Sequence, residues 1–197
     1  MTTSLSEAGF RIDSSIASQR FDFFFSFGSL KKFKFLTAPR LPYQTSENHL
    51  HKKGDGPIVE VPISSIILPY IGATLRAMPG IAGLLRKMLI AESRRNKKPI
   101  VFYSHPAEYL DESEEFAQVK HINKRVKGAF EYFIRDYLKT KIKHKNLGPS
   151  ALDLLEREIV FFRQQGFDFL TVRGYCERRG LLDIEKADSL SVESKKH

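Results

Sequence analysis

Between Lys98 and Pro106 the chain reads Pro99-Ile100-Val101-Phe102-Tyr103-Ser104-His105. From Ile100 to Ser104 every residue is apolar, aromatic or small. That is the bias of a buried strand. A strand buried on both faces reads as an unbroken apolar run, which is the habit of parallel α/β sheets. Pro99 fits the first position, where no ladder donor is needed. In such folds the working residues sit at the carboxyl ends of strands. His105, followed by Pro106 and Glu108, occupies such an end.

The other segments predict the same class. Leu5 to Gly9 predicts a short helix capped by Gly9, with a brief strand following at Ile12. Phe21, Phe23, Phe25 and Phe27 alternate at strand period within a stretch, residues 20–36, that holds seven phenylalanines. Large aromatics of this kind belong to a core. Residues 37–56, punctuated by Pro39, Pro42, Gly54 and Gly56, predict a loop, and His49 and His51 read there as solvated rather than metal-bound. Pro57 to Ser64 predicts a strand interrupted by Glu60. A carboxylate inside a strand needs a partner or a function.

Residues 65–79 read as an irregular connection. From Gly80 to Asn96 a helix is expected, with Ile81, Leu84, Leu85, Met88 and Leu89 as its apolar stripe. It would carry the chain from the Glu60 strand to the His105 strand as a parallel crossover. Asp111 to Glu115 is acidic, and a helix is expected from there to Lys143. A further helix runs to Gln165, capped by Ser150, with Leu152, Leu155, Ile159 and Phe162 inward. Phe167 to Val172 predicts a third strand, and Arg173 to Arg179 a last helix ending at Gly180. Residues 1–183 thus read as one α/β unit, and 184–197 as a disordered polar tail.

Composition narrows the function classes. The formal charge is +9, but no nucleic-acid motif accompanies it, so it reads as a solvated Lys/Arg face rather than a nucleic-acid surface. Cys176 is the single cysteine, so no intrachain disulfide forms. A polar N-terminus without signal-peptide features and the lack of a membrane-spanning apolar run lead to the expectation of a cytoplasmic protein with no membrane partner.

Several motifs, in order, resemble the polysaccharide deacetylase (NodB-like) family, in its larger exopolysaccharide-associated branch. Gly9-Phe10-Arg11-Ile12-Asp13-Ser14-Ser15 is similar to a Gly-Phe-x-Tyr-Asp-Ser-Ser segment of that branch. Glu60-Val61-Pro62-Ile63-Ser64 and Leu75-Arg76-Ala77-Met78-Pro79 are similar to its Glu-x-Pro-x-Ser and Phe-Arg-x-x-Pro pair. Tyr103-Ser104-His105-Pro106-Ala107-Glu108 resembles its Tyr-x-His-Pro-Trp-Glu motif, with Ala107 in place of tryptophan. Phe167-Asp168-Phe169-Leu170-Thr171 resembles its closing Phe-x-Phe-x-Thr. The resemblance spans residues 5–175.

The resemblance implies a partial, deformed (β/α) barrel lacking its N-terminal strands. It implies hydrolysis of the N-acetyl amide of a carbohydrate, assisted by a divalent metal, commonly zinc. His105 matches the residue that protonates the leaving amine. Asp13 and Arg76 match positions lining the site, and Glu108 a supporting position. The family's metal-binding aspartate pair, its His-x-x-x-His and its Arg-x-Pro segment have no counterpart here, so no metal ligand is assigned. The expected partners are a carbohydrate and either a separately encoded N-terminal half or a second copy. The alternative is a catalytically inactive remnant or interaction module that keeps the fold without the metal.

Overall fold

The structure is a computed structural model, and it describes residues 2–18, 35–110 and 145–182. The phenylalanines from Phe21 to Phe33, the acidic cluster at 111–115, the helix expected to Lys143 and the tail at 184–197 lie outside the described residues.

The chain opens with helix α1 (Thr2–Glu7). It ends as expected at Gly9, whose φ of 84° lies in the left-handed region that lacks a steric penalty only for glycine. Strand β1 (Ile12–Asp13) follows. β2 (Tyr43–Gln44) and β3 (Val59–Glu60) complete a three-stranded sheet of order β1-β3-β2. β1 runs parallel to β3 and β2 antiparallel to it. β2 lies inside the segment expected to be loop. Its two residues are too few to show a period, and Gln44 is exposed.

Alternation along β3 assigns its side chains to two cores. Ile58 joins Ile16, Ala38 and Leu50 on one side. Val59 and Val61 join Cys176 on the other, with Val101, Val172 and Tyr175 against them. Glu60 therefore shares a face with Ile58. Pairing continues past the strand ends through the parallel bridge of Ala17 to Ile63.

Residues 65–79 are more ordered than expected. β4 (Ser65–Ile66) and β5 (Leu68–Pro69) form a tight hairpin around Ile67, which takes a φ of 64°. Helix α2 (Gly72–Ala77) follows. It is too short for its apolar period to be visible in sequence. Helix α3 (Pro79–Asn96) matches the expected helix, with Pro79 in its first turn. Its buried line is Ala82, Leu85, Leu89 and Ile90. Ile81, Leu84 and Met88 face outward, which corrects the expected stripe by a rotation toward Ala82.

The strand expected from Ile100 to Ser104 does not form among the described residues: the segment makes one parallel bridge, at Tyr103, and isolated backbone contacts, so it is not a ladder partner of the Glu60 strand. Ser64 N–H donates to the Val101 carbonyl at 3.0 Å, Gly72 N–H donates to the Tyr103 carbonyl at 2.8 Å, and Ile71 bridges Tyr103. A single 3₁₀ turn (Pro106–Tyr109) closes it.

Helix α4 (Pro149–Gln164) is preceded by Gly148, not capped by Ser150, which lies within its first turn. Its inner line is Ala151, Glu158 and Phe162, and Leu152 is exposed. Phe167 to Thr171 forms no ladder among the described residues. A run of alternating residues becomes a strand only beside a partner strand, and none lies next to it there. Phe167 instead packs edge-on against Phe162 at 5.6 Å. Helix α5 (Val172–Arg178) is capped by Thr171 Oγ1, which accepts from Gly174 N–H at 3.0 Å.

The main core gathers Tyr70, Leu85, Leu89, Ile90 and Phe162, with Ile100 and Phe102 against it. Its polar edge is closed by Glu158, which accepts from the Tyr70 hydroxyl and from Arg86 Nη1 at 2.6 Å. The Arg86 guanidinium also lies 3.6 Å from the Phe161 ring centre. Glu92 bridges Arg40, held by two hydrogen bonds of 2.9 and 2.6 Å, and Lys98 at 3.2 Å. No helix among the described residues is long and apolar enough to cross a membrane.

Candidate functional site

Arg76 reaches from the last turn of α2 toward the turn that follows His105. Its Nε lies 2.8 Å from Glu108 Oε2. The two residues are 3% and 8% exposed. Burial makes this pair stringent, because a charge out of water needs a partner with good geometry. The geometry is supplied from several sides. Arg76 Nη1 donates to the Lys145 carbonyl at 2.7 Å, and Asn146 Nδ2 donates to the Arg76 carbonyl at 2.9 Å. Gly72 leaves the necessary room: a Cβ there would run into Glu108 Oε2 and meet Ser104 Cβ at 2.9 Å.

Glu108 in turn fixes the backbone of His105. Its Oε1 accepts from His105 N–H at 3.3 Å, and its own N–H donates to the His105 carbonyl at 2.9 Å. The His105 ring itself is exposed. It stands edge-on to Tyr103, with ring centres 5.0 Å apart and the hydroxyl 3.2 Å from Nδ1. Strand alternation puts residues 103 and 105 on one face, so the sequence carried the signal for Tyr103, which the motif reading passed over.

Asp13 belongs to a second group, built at β1 and β3. It is the register partner of Glu60, and it accepts from Ser15 Oγ at 2.5 Å. Glu60 is fully buried. Its Oε1 accepts from the N–H groups of Ser15 and Ile16 at 3.2 and 2.9 Å. Among the described residues its Oε2 has no hydrogen-bond partner as a carboxylate. Burial above all, and the neighbouring Asp13, push the Glu60 carboxyl up to about 8 against the two backbone donors. Tyr43, opposite Glu60 on β2, gives its hydroxyl to the Leu50 carbonyl at 2.6 Å.

Of the four residues singled out in sequence, Arg76, Glu108 and His105 come together in one cluster. Asp13 comes together with Glu60, a residue marked in sequence only as an interruption of a strand. A zinc ion does not fit the described residues. No three His, Cys, Asp or Glu side chains converge among them, and half of the Glu60 carboxyl is already taken by backbone donors. His49 and His51 have ring centres 5.3 Å apart, and they are not part of any group of three potential ligands among the described residues. A cleft of about 510 Å³ lies between α3 and α4, lined by Leu75, Arg86, Glu158 and Phe161 among others, and holds none of the four.

No known protein family, no curated protein and no solved structure matches the chain.

Proposed function

We propose that this chain supplies the acid/base wall of a carbohydrate N-deacetylase, a hydrolase of the N-acetyl amide of a sugar. The observation that carries the reading is the buried Arg76–Glu108 pair, which fixes the His105 backbone at the start of the 3₁₀ turn and leaves its ring exposed. A held but accessible imidazole can both give and take a proton. In this reading water adds to the acetyl carbon, and His105 gives a proton to the amide nitrogen as the carbon–nitrogen bond breaks, leaving acetate and the free amine. Tyr103 orients the ring, Arg76 and Glu108 position it, and Asp13 meets the sugar. The zinc of this chemistry would be held by residues beyond those described, in a separately encoded partner or a second copy. A cytoplasmic location belongs to the same proposal.

A second reading is a sugar-facing interaction module without chemistry. It is favoured by the lack of a three-ligand cluster among the described residues. Acetate release from N-acetylglucosamine oligomers, with zinc supplied, separates the two. Release that His105→Ala abolishes supports the hydrolase. Binding of the oligomers without release supports the module.

A further inference from the structure

Asp13 and Glu60 are register partners across a parallel pair of strands. Among the described residues, the titratable groups set against Glu60 are Asp13 from β1 and Tyr43 from β2, and neither is a cation. The Tyr43 hydroxyl is committed to the Leu50 carbonyl, and the nearby Ser14 hydroxyl donates to the Val61 carbonyl at 2.8 Å. Glu60 Oε1 has two backbone donors, whereas Oε2, equally buried, has none among the described residues.

Were both side chains carboxylates, each would be an acceptor facing an acceptor, and Oε2 would be an orphan inside the protein. Buried polar atoms are rarely left so. One proton removes both faults. A neutral Glu60 can donate from Oε2 to Asp13 while Oε1 keeps its backbone donors.

We propose that Glu60 is a positioning residue: it carries a proton at neutral pH and donates it in a hydrogen bond to Asp13, fixing the direction in which Asp13 presents its carboxylate to a sugar hydroxyl. The Ser15 hydroxyl also donates to Asp13 Oδ2, at 2.5 Å. Asp13, less buried than Glu60, is the member of the pair that a ligand can reach. The sugar rests on the function proposed above, but the shared proton does not. The raised Glu60 carboxyl agrees with the geometry. Because the two groups interact, their midpoints belong to the pair.

Carboxyl-carbon NMR of the full chain, titrated from about pH 5 to about pH 10, reads the pair directly. The Glu60 resonance is assigned by its loss in Glu60→Gln. The expected result is a Glu60 midpoint well above the ordinary glutamate range, an inflection of the Asp13 resonance at the same pH, and a lower Glu60 midpoint in Asp13→Asn. A Glu60 midpoint in the ordinary range overturns the proposal. So does an Asp13 signal that ignores the Glu60 step, a test that needs no variant at Asp13 to fold. If the pair titrates together but N-acetylglucosamine oligomers leave Asp13 unmoved, the shared proton stands and the sugar reading fails.

Discussion

Arg76 Nε and Glu108 Oε2 lie 2.8 Å apart, and the same carboxylate holds the backbone N–H of His105 through its other oxygen. A residue on α2 therefore sets the backbone that carries a ring 29 residues further along, at the start of the 3₁₀ turn. The ion pair serves placement more than stability. Desolvation offsets much of what a buried pair gains, while loss of one partner strands the other.

Arg76→Ala should destabilise the protein by about 3–5 kcal/mol, since Glu108 stays buried without its counter-charge. The paired change Arg76→Met with Glu108→Leu should recover most of that loss. Urea unfolding checks both. Recovery of stability without recovery of sugar-dependent shifts at His105 would mark the pair as a device for placement.

Gly72→Ala should weaken the same unit by about 1–3 kcal/mol, the usual cost of overpacking. The added methyl meets the Glu108 carboxylate, which cannot swing away without leaving Arg76. The effect should shrink in the background lacking both charges. A double-mutant cycle measures that coupling.

His105→Ala should leave stability within about 0.5 kcal/mol of the parent, because the ring is exposed. Any acetate release should fall by about 10²–10⁴-fold, the usual worth of a positioned acid or base. Tyr103→Phe should lower that release by less than His105→Ala does, since it removes only the hydroxyl 3.2 Å from Nδ1 that orients the ring.

The Glu60 carboxyl, pushed up to about 8 chiefly by burial, makes stability fall as pH rises. The unfolded chain releases this proton in the ordinary glutamate range, and the folded chain only near 8. The stabilisation is thus complete below the unfolded value and fades through the folded one, by about 1.4 kcal/mol for each pH unit between the two. Glu60→Gln, which mimics the neutral acid, should remove that slope. Melting temperatures across the interval check the sign.

Several local elements were legible in the sequence. Gly9 and Gly180, with φ of 84° and 60°, end helices where expected, and Pro79 opens α3. The apolar run before His105 read as a strand but makes only one parallel bridge, at Tyr103. The misses share one cause: a pattern shorter than its own period, or a partner not written in the local residues. α2 and β2 are too brief to show periodicity. Phe167 to Thr171 has strand composition, but strand formation depends on a neighbour. The inner lines of α3 and α4 rotated because Ala82, Ala151 and Glu158 take inward places that hydrophobicity alone gives to Ile81 and Leu152.

The site was legible in part for the same reason. Glu108 was singled out through the resemblance as a supporting position, but that its side chain holds the turn after His105 shows only in the structure. That Asp13 pairs with Glu60 was visible only in the register between two strands 47 residues apart, a separation again read from the numbering.

The most direct test of the functional proposal is NMR of the His105 ring and the Asp13 carboxyl during addition of N-acetylglucosamine oligomers to the full chain. The expected result is that both signals shift and saturate with one dissociation constant, and that Arg76→Ala with the fold intact weakens the response at His105. Signals that stay still, or that saturate with different constants, would contradict a single sugar-facing site.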